Sequence, residues 1–353
     1  MQALTVTPRR PGTVSVSNIA EPVRADGELL VDGVAIGLCG TDREIAAGLY
    51  GWTPPESPYL VIGHESLGRV RQAPPASSFA PGDLVVGVVR RPDPEPCGAC
   101  ARGEFDMCRN GRYRERGIKE LHGYGSQRWT VEEEFAVALD PSLERVGVLV
   151  EPTSVVAKAW EQVDLIGGRS WFEPKRVLVT GAGPIGLLAA LIGVQRGLDT
   201  HVLDRVSDGP KPRLVRSLGA TYHNRDIASV ARELQPDIVI EATGAAPVVS
   251  AVLRNTTAYG ITCLTGVSSH GRRLSVDIGA VNREIVLDND VVVGSVNAGL
   301  RHYRQATEIL AKADRCWLSA MITKRVGIDR VCEAFRPHPE DVKVVVDLED
   351  GLS

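Results

Sequence analysis

The chain has 353 residues, 43% of them hydrophobic and 24% charged, with a formal net charge of −4. That length exceeds one typical core, so two domains are expected. The slight acidity argues against nucleic acid or an anionic membrane surface as the main partner. No apolar run reaches the roughly 18–20 residues that span a bilayer, so a cytoplasmic protein without membrane contact is expected.

In chain order, Met1–Val6 reads as a first strand rather than a leader, having no basic start and no long apolar run. From there to about residue 150 the sequence is rich in Gly, Pro and short β-type runs such as Glu28–Val31 and Leu84–Val89, broken by turn signals such as Pro81-Gly82-Asp83. This is the texture of a strand-and-loop domain with little helix. Two groups within it carry chemistry. Cys39-Gly40-Thr41-Asp42 and, further on, Gly63-His64-Glu65 offer a thiolate, an imidazole and a carboxylate. That is the donor set of a catalytic zinc, in which three protein ligands leave one position open. Cys97-Gly98-Ala99-Cys100 and Cys108 form a second group, drawn from a total of seven cysteines. An odd total suits metal ligation in a reducing compartment better than a disulfide framework.

Near Arg176 the pattern changes. Arg176–Thr180 reads as a buried strand, Gly181-Ala182-Gly183-Pro184-Ile185-Gly186 follows, and the apolar run Leu187–Val194 continues as a helix. Further strands are expected at 200–204, 237–241, 261–264 and 291–294, with a helix near 211–218, which describes a parallel, doubly wound sheet. A lone GxGxxG is a weak signal, but here it follows a strand and opens a helix. Gly181 permits the tight turn, Gly183 lets backbone approach a pyrophosphate, and Gly186 lets helix pack close to strand. The pyrophosphate then sits on the helix N-terminus. Asp204, ending the next strand, is placed to accept from adenosine ribose hydroxyls and so favours NAD. Arg205, Lys211 and Arg213 nearby offset that charge and admit NADP. After 300 come a helix over 303–310 and a last strand over 342–346, which is expected to return to the first domain.

Together, Cys39-Gly40-Thr41-Asp42, Gly63-His64-Glu65, Gly68, Pro81-Gly82-Asp83 and the 181–186 fingerprint resemble the zinc-dependent medium-chain alcohol dehydrogenases. Val89-Arg90-Arg91, the segments 117–124 and 149–159, and Gly294-Ser295-Val296-Asn297 are similar to the glucose dehydrogenase branch of that family. The resemblance implies an α/β protein: a GroES-like β-rich catalytic domain over 1–155 and 300–353, and a Rossmann cofactor domain over 156–299. It implies that Cys39, His64 and Glu151 hold the catalytic zinc, with Glu65 as an alternate ligand or supporting acid and Thr41 as proton relay. Glu115, Glu151, Thr41 and Asn297 are then the candidates to grip a sugar, with His122 a weaker one. Thr243 and Asn297 join Gly181–Gly186, Asp204 and Arg205 as cofactor contacts. Cys97, Cys100 and Cys108 resemble the family's structural zinc lobe, but Pro94 stands where a fourth cysteine is usual. Either Asp93 or Glu95 completes that site, or the lobe holds metal weakly or not at all. The implied reaction oxidises the anomeric hydroxyl of an aldose, D-glucose foremost, with hydride transfer to NAD or NADP. Related readings are a polyol, cyclitol, amino-sugar or secondary alcohol dehydrogenase, and a non-catalytic nucleotide-binding member. The resemblance also implies a homo-oligomer, a dimer or tetramer.

Overall fold

A computed structural model describes residues 1–254, 256–268 and 274–349. The chain forms two compact units, one of residues 1–154 with those from Ala298 on, the other Val155–Asn297.

The first unit is built on antiparallel pairing. Its central strand β1 (Glu28–Leu38) is long and buried along most of its length. On one side it pairs with β2 (Glu65–Gln72), and on the other with the strand Lys343–Asp347. The last strand thus returns to the first unit, as the sequence predicts. The register sets Gly37 opposite Glu65, and Leu38 opposite Val344. A Cβ at Gly37 would fall on a carboxylate oxygen of Glu65, so glycine there leaves the acid its room. Directly after β1 the chain turns into the short helix α1 (Gly40–Ala46), with Cys39 at the joint between them. Helix α2 (Val150–Gly167) begins in this unit and runs on into the next.

In the second unit, β3 (Arg176–Thr180), β4 (Asp199–Leu203), β5 (Thr221–His223), β6 (Ile238–Glu241), β7 (Ile261–Leu264) and β8 (Val291–Gly294) form one parallel sheet in the order β5-β4-β3-β6-β7-β8. This is the doubly wound order, with its switch point at the end of β3. Helix α3 (Pro184–Gln195) buries all of Leu187–Ile192, because a helix apolar all round can only sit inside. Leu178, Leu203, Val230, Leu234, Val239 and Val252 form one cluster beneath the sheet. Helix α4 (Ile278–Asp288) precedes the edge strand β8. The α/β architecture expected from the sequence is the one observed.

Candidate active site

Cys39 caps α1. Its Sγ accepts from the Thr41 amide at 3.2 Å, and the Asp42 carboxylate closes the cap by accepting from the Cys39 amide at 2.9 Å. The sulfur thus meets an N–H group of the helix's first turn. Cys39 Sγ lies 3.0 Å from His64 Nε2, at the end of the loop entering β2. On the far side of the ring, His64 Nδ1 is 3.4 Å from Asp42 Oδ1. Asp42 and His64 are both buried. Burial alone would push the histidine down, but Cys39 and Asp42 outweigh it and raise its pKa well above the ordinary value. One sulfur, one imidazole nitrogen and one carboxylate oxygen of Cys39, His64 and Glu65 lie within 4.8 Å of one another. A soft, a borderline and a hard donor gathered so closely, with a carboxylate behind the histidine, fit a zinc ion.

Glu65 is not free to act alone. Both of its oxygens are 2.6 Å from Lys343 Nζ, which also donates to the Leu38 carbonyl at 3.2 Å. Acid and base are each only 1% exposed at the side chain, so this is a dry ion pair beside the metal position. Sequence reasoning missed Lys343. Thr41 is partly exposed on the first turn of α1.

Glu151 opens α2 and stands outside the three-residue cluster, yet its charge is felt there. Burial, with His64 and Lys343 opposing and Glu65 and Asp42 reinforcing, pushes its carboxyl up to about 7. An acid whose folded pKa is raised stabilises the fold most below its unfolded value, and that contribution fades as pH rises through the folded value. The metal-free protein should lose thermal stability from this source between about pH 4.5 and 7. A zinc ion at Cys39 and His64 should stabilise increasingly over the same interval, since the nearby Glu151 carboxyl attracts a cation only once it is ionised. Thermal scans of the wild type and Glu151→Gln, with and without zinc, check this. Identical pH slopes in the two proteins would contradict it.

Glu115 is buried and held by Arg90, whose Nε and Nη2 donate to Oε1 at 3.1 and 2.9 Å. Arg90 in turn lies over the Tyr113 ring, 3.6 Å from its centroid. His122 accepts from the Val61 amide at 3.1 Å and stacks on Tyr59, a packing role.

In the second unit the fingerprint glycines stand in three different surroundings. Gly181 takes φ +93°, and a Cβ on Gly186 would fall on the Gly181 carbonyl oxygen. A Cβ on Gly183, by contrast, would meet nothing within 4 Å. That open face sits at the start of α3, before Pro184 and Ile185, and fits a pyrophosphate. Asp204 accepts from the amides of Ala182 and Arg205, each at 2.7 Å, and lies 3.4 Å from Lys211 Nζ. Burial pushes its carboxyl up, but the Ala182 amide and Lys211 outweigh that and keep it below the ordinary value. Thr243 hangs from the buried Glu241, donating through its amide at 2.8 Å and also through its hydroxyl. Asn297 ends the unit in a left-handed conformation, φ +60°.

Comparison with known proteins follows the same division. Residues 25–141 match the alcohol dehydrogenase GroES-like domain, and residues 144–348 match the glucose dehydrogenase C-terminus. A glucose 1-dehydrogenase of Methanocella arvoryzae is 39% identical over 99% of each chain. Glucose 1-dehydrogenase 1 of Caldivirga maquilingensis is 38% identical, again over 99% of each. The chain belongs to the glucose dehydrogenase branch of the medium-chain alcohol dehydrogenases. Among solved glucose dehydrogenases, that of Haloferax mediterranei, in complex with NADP, Zn and gluconolactone, superposes with a TM-score of 0.92. It is 31% identical and covers 99% of this chain and 100% of its own.

The cysteine lobe of this chain brings Cys97, Cys100 and Cys108 within 4.8 Å of one another. Asp93 is not part of that group. Its Oδ1 accepts from the Glu95 amide at 2.9 Å, and its Oδ2 from Asn110 at 2.8 Å and Arg112 at 3.2 Å. Glu95 is exposed and paired with Arg112 at 2.8 Å.

Proposed function

We propose that this protein oxidises the anomeric hydroxyl of an aldose, D-glucose foremost, to the lactone, with hydride transfer to NAD(P). The observation that carries the reading is the Cys39–His64–Glu65 cluster, found in a chain that matches a glucose dehydrogenase solved with zinc, NADP and gluconolactone. When bound, zinc would supply a Lewis acid for the sugar oxygen, and a nicotinamide cofactor would supply the hydride acceptor.

The chain's own residues do the rest. Cys39, His64 and Glu151 are the proposed protein ligands, with Asp42 fixing the ring of His64. Glu65, charge-balanced by Lys343, stands ready as an alternate ligand without adding uncompensated negative charge. Thr41, two residues from Cys39 and partly exposed, relays the proton leaving the anomeric hydroxyl to solvent. Glu115, oriented by Arg90, and Asn297 accept sugar hydroxyls, since each buried hydroxyl left unpaired costs about 1–3 kcal/mol. Gly181–Gly186, Asp204, Arg205 and Thr243 hold the cofactor. A steady-state panel of aldoses, sorbitol, inositols and simple secondary alcohols tests the reading. Glucose is expected to give the highest kcat/KM, and no turnover on any free aldose would refute it.

Cofactor choice rests on Asp204 beside Lys211. Asp204→Ala removes a negative charge from the ribose position while leaving Lys211 in place. The kcat/KM ratio of NADP to NAD should then rise by roughly ten- to thirtyfold, about 1–2 kcal/mol of relieved repulsion. An unchanged ratio would contradict the ribose assignment.

The proposed assembly is a homodimer. β8 is an edge strand, and Ile278, Val286, Leu287 and Val292 near it are exposed. Antiparallel pairing of β8 with its copy removes the open edge and covers these side chains. Light scattering should show a dimer that Val292→Lys converts to monomer, and a monomeric wild type would contradict it. No described helix is long and apolar enough to cross a membrane. All seven cysteines are free, which fits a reducing, cytoplasmic location.

A further inference from the structure

Glu241 ends β6 and is fully buried, yet its hydrogen-bond partners include no side-chain cation. Its Oε1 accepts from the Thr180 hydroxyl at 3.2 Å, from the Thr243 amide at 2.8 Å and from the Thr243 hydroxyl. Its Oε2 accepts from the Gly244 amide at 3.1 Å. An amide N–H can only donate, so both oxygens act as acceptors, which fits an ionised carboxylate.

This residue ties together the ends of three strands. The register sets it opposite Thr180 on β3, the position before the Gly181 turn. Its carbonyl accepts from the amides of Thr265 and Gly266, at 2.8 and 3.0 Å, just beyond β7. A Cβ on Gly266 would fall 2.1 Å from the Gly244 nitrogen and 2.8 Å from Glu241 Oε2, so the two loops close tightly over the acid. Thr243 gives its hydroxyl hydrogen to Glu241 and turns its methyl to Gly181, where a Cβ would lie 2.9 Å from Thr243 Cγ2. Thr243 and Val267 are exposed on these loops, and the carboxylate lies beneath them. A doubly wound sheet shares a dinucleotide between its halves, outside the carboxyl ends of the strands. Asp204 follows β4, in the half given to adenosine. Glu241 ends the first strand of the other half, on the nicotinamide side.

We propose that Glu241 is a positioning residue for the nicotinamide half of the cofactor, and that its charge favours the oxidised form over the reduced one. The inference rests on the NAD(P) reading above and is independent of the sugar. Through its carboxylate and its carbonyl, Glu241 fixes the spacing of the loops 242–244 and 265–267 against the Gly181 turn. Its charge, balanced by neutral dipoles alone, acts over a dry path where Coulomb interactions are stronger than in water. The oxidised nicotinamide ring is cationic and the reduced ring is neutral. An anion on that side therefore strengthens binding of the oxidised cofactor, while the loop contacts serve both forms alike.

Equilibrium titration of the full-length, zinc-loaded protein with NADP and with NADPH, without sugar, tests both parts. Glu241→Gln keeps the size of the side chain and removes its charge. The ratio of Kd for NADP to Kd for NADPH should rise by roughly three- to tenfold over the wild type. Glu241→Asp keeps the charge but falls a methylene short of its donors. Both Kd values should then rise by roughly tenfold, with their ratio held within about twofold. A merely structural role would weaken the two forms equally in both variants. An unchanged ratio in Glu241→Gln would overturn the charge assignment. Binding of NADP by Glu241→Asp within about twofold of the wild type would overturn the positioning role, and that result decides the proposal even if Glu241→Gln does not fold. Failure of the wild type to bind either form would instead overturn the cofactor reading on which the proposal rests.

Discussion

A Cys39→Ser protein should fold, bind NADP as tightly as the wild type within about twofold, and fall in kcat/KM on glucose by roughly 10³–10⁵-fold. The fold should persist because serine is a good helix N-cap and can accept from the Thr41 amide as Cys39 does. The metal should not persist. A neutral hydroxyl replaces the soft anionic donor, leaving an imidazole and carboxylates that bind zinc less tightly. Lewis-acid stabilisation of several kcal/mol is then lost, and each 1.36 kcal/mol is about tenfold in rate. Zinc content, cofactor fluorescence titration and steady-state kinetics check the three parts separately. A parallel loss of NADP binding would contradict the separate roles given to the two units.

The second large effect is expected at Lys343. Its ammonium is buried with Glu65, 2.6 Å from each carboxylate oxygen. Removing one member of a buried pair leaves an uncompensated charge in a dry site, typically a loss of about 3–5 kcal/mol. Lys343→Met should therefore destabilise the protein by that order, measured by urea unfolding at fixed zinc. The double variant Glu65→Gln/Lys343→Met should recover much of the loss, since both charges go together, with a coupling of about 2 kcal/mol or more. If Lys343→Met alone changed stability by less than about 0.5 kcal/mol, the pair would have no structural weight, and Lys343 could not be what holds Glu65 beside the metal position.

These two residues also show what can be read from a linear sequence. Cys39 and His64 are legible because each sits in a short motif whose turn is local: a strand end capped into a helix, and a glycine loop entering β2. The fingerprint is legible for the same reason. β3, its glycine turn and α3 are contiguous, and the apolar run 187–192 has nowhere to go but inside. Lys343 is not legible. In sequence it is the one cation at the head of an apolar run, which reads as a surface residue at a strand start. Only the pairing of the last strand with β1, whose other neighbour carries Glu65 opposite Gly37, turns its side chain onto that acid. Arg90 is hidden in the same way, since its partner Glu115 comes from a separate strand. The cysteine lobe shows the opposite case. Spacing near Cys97 makes Asp93 an attractive fourth ligand, but Asn110 and Arg112, from further along the chain, draw its carboxylate elsewhere. Helices over 227–234 and 246–252 and the short strand β5 are also absent from the sequence reading, being brief segments that take their shape from the sheet beside them.

The central claim is hydride transfer from the anomeric carbon of glucose to the cofactor. It is tested most directly with glucose deuterated at C1 and NADP, using zinc-loaded protein. Mass spectrometry of the product cofactor should show one deuterium on the nicotinamide ring, with gluconolactone or gluconate formed in equal amount. Unlabelled reduced cofactor, or no turnover of glucose at all, would contradict the account.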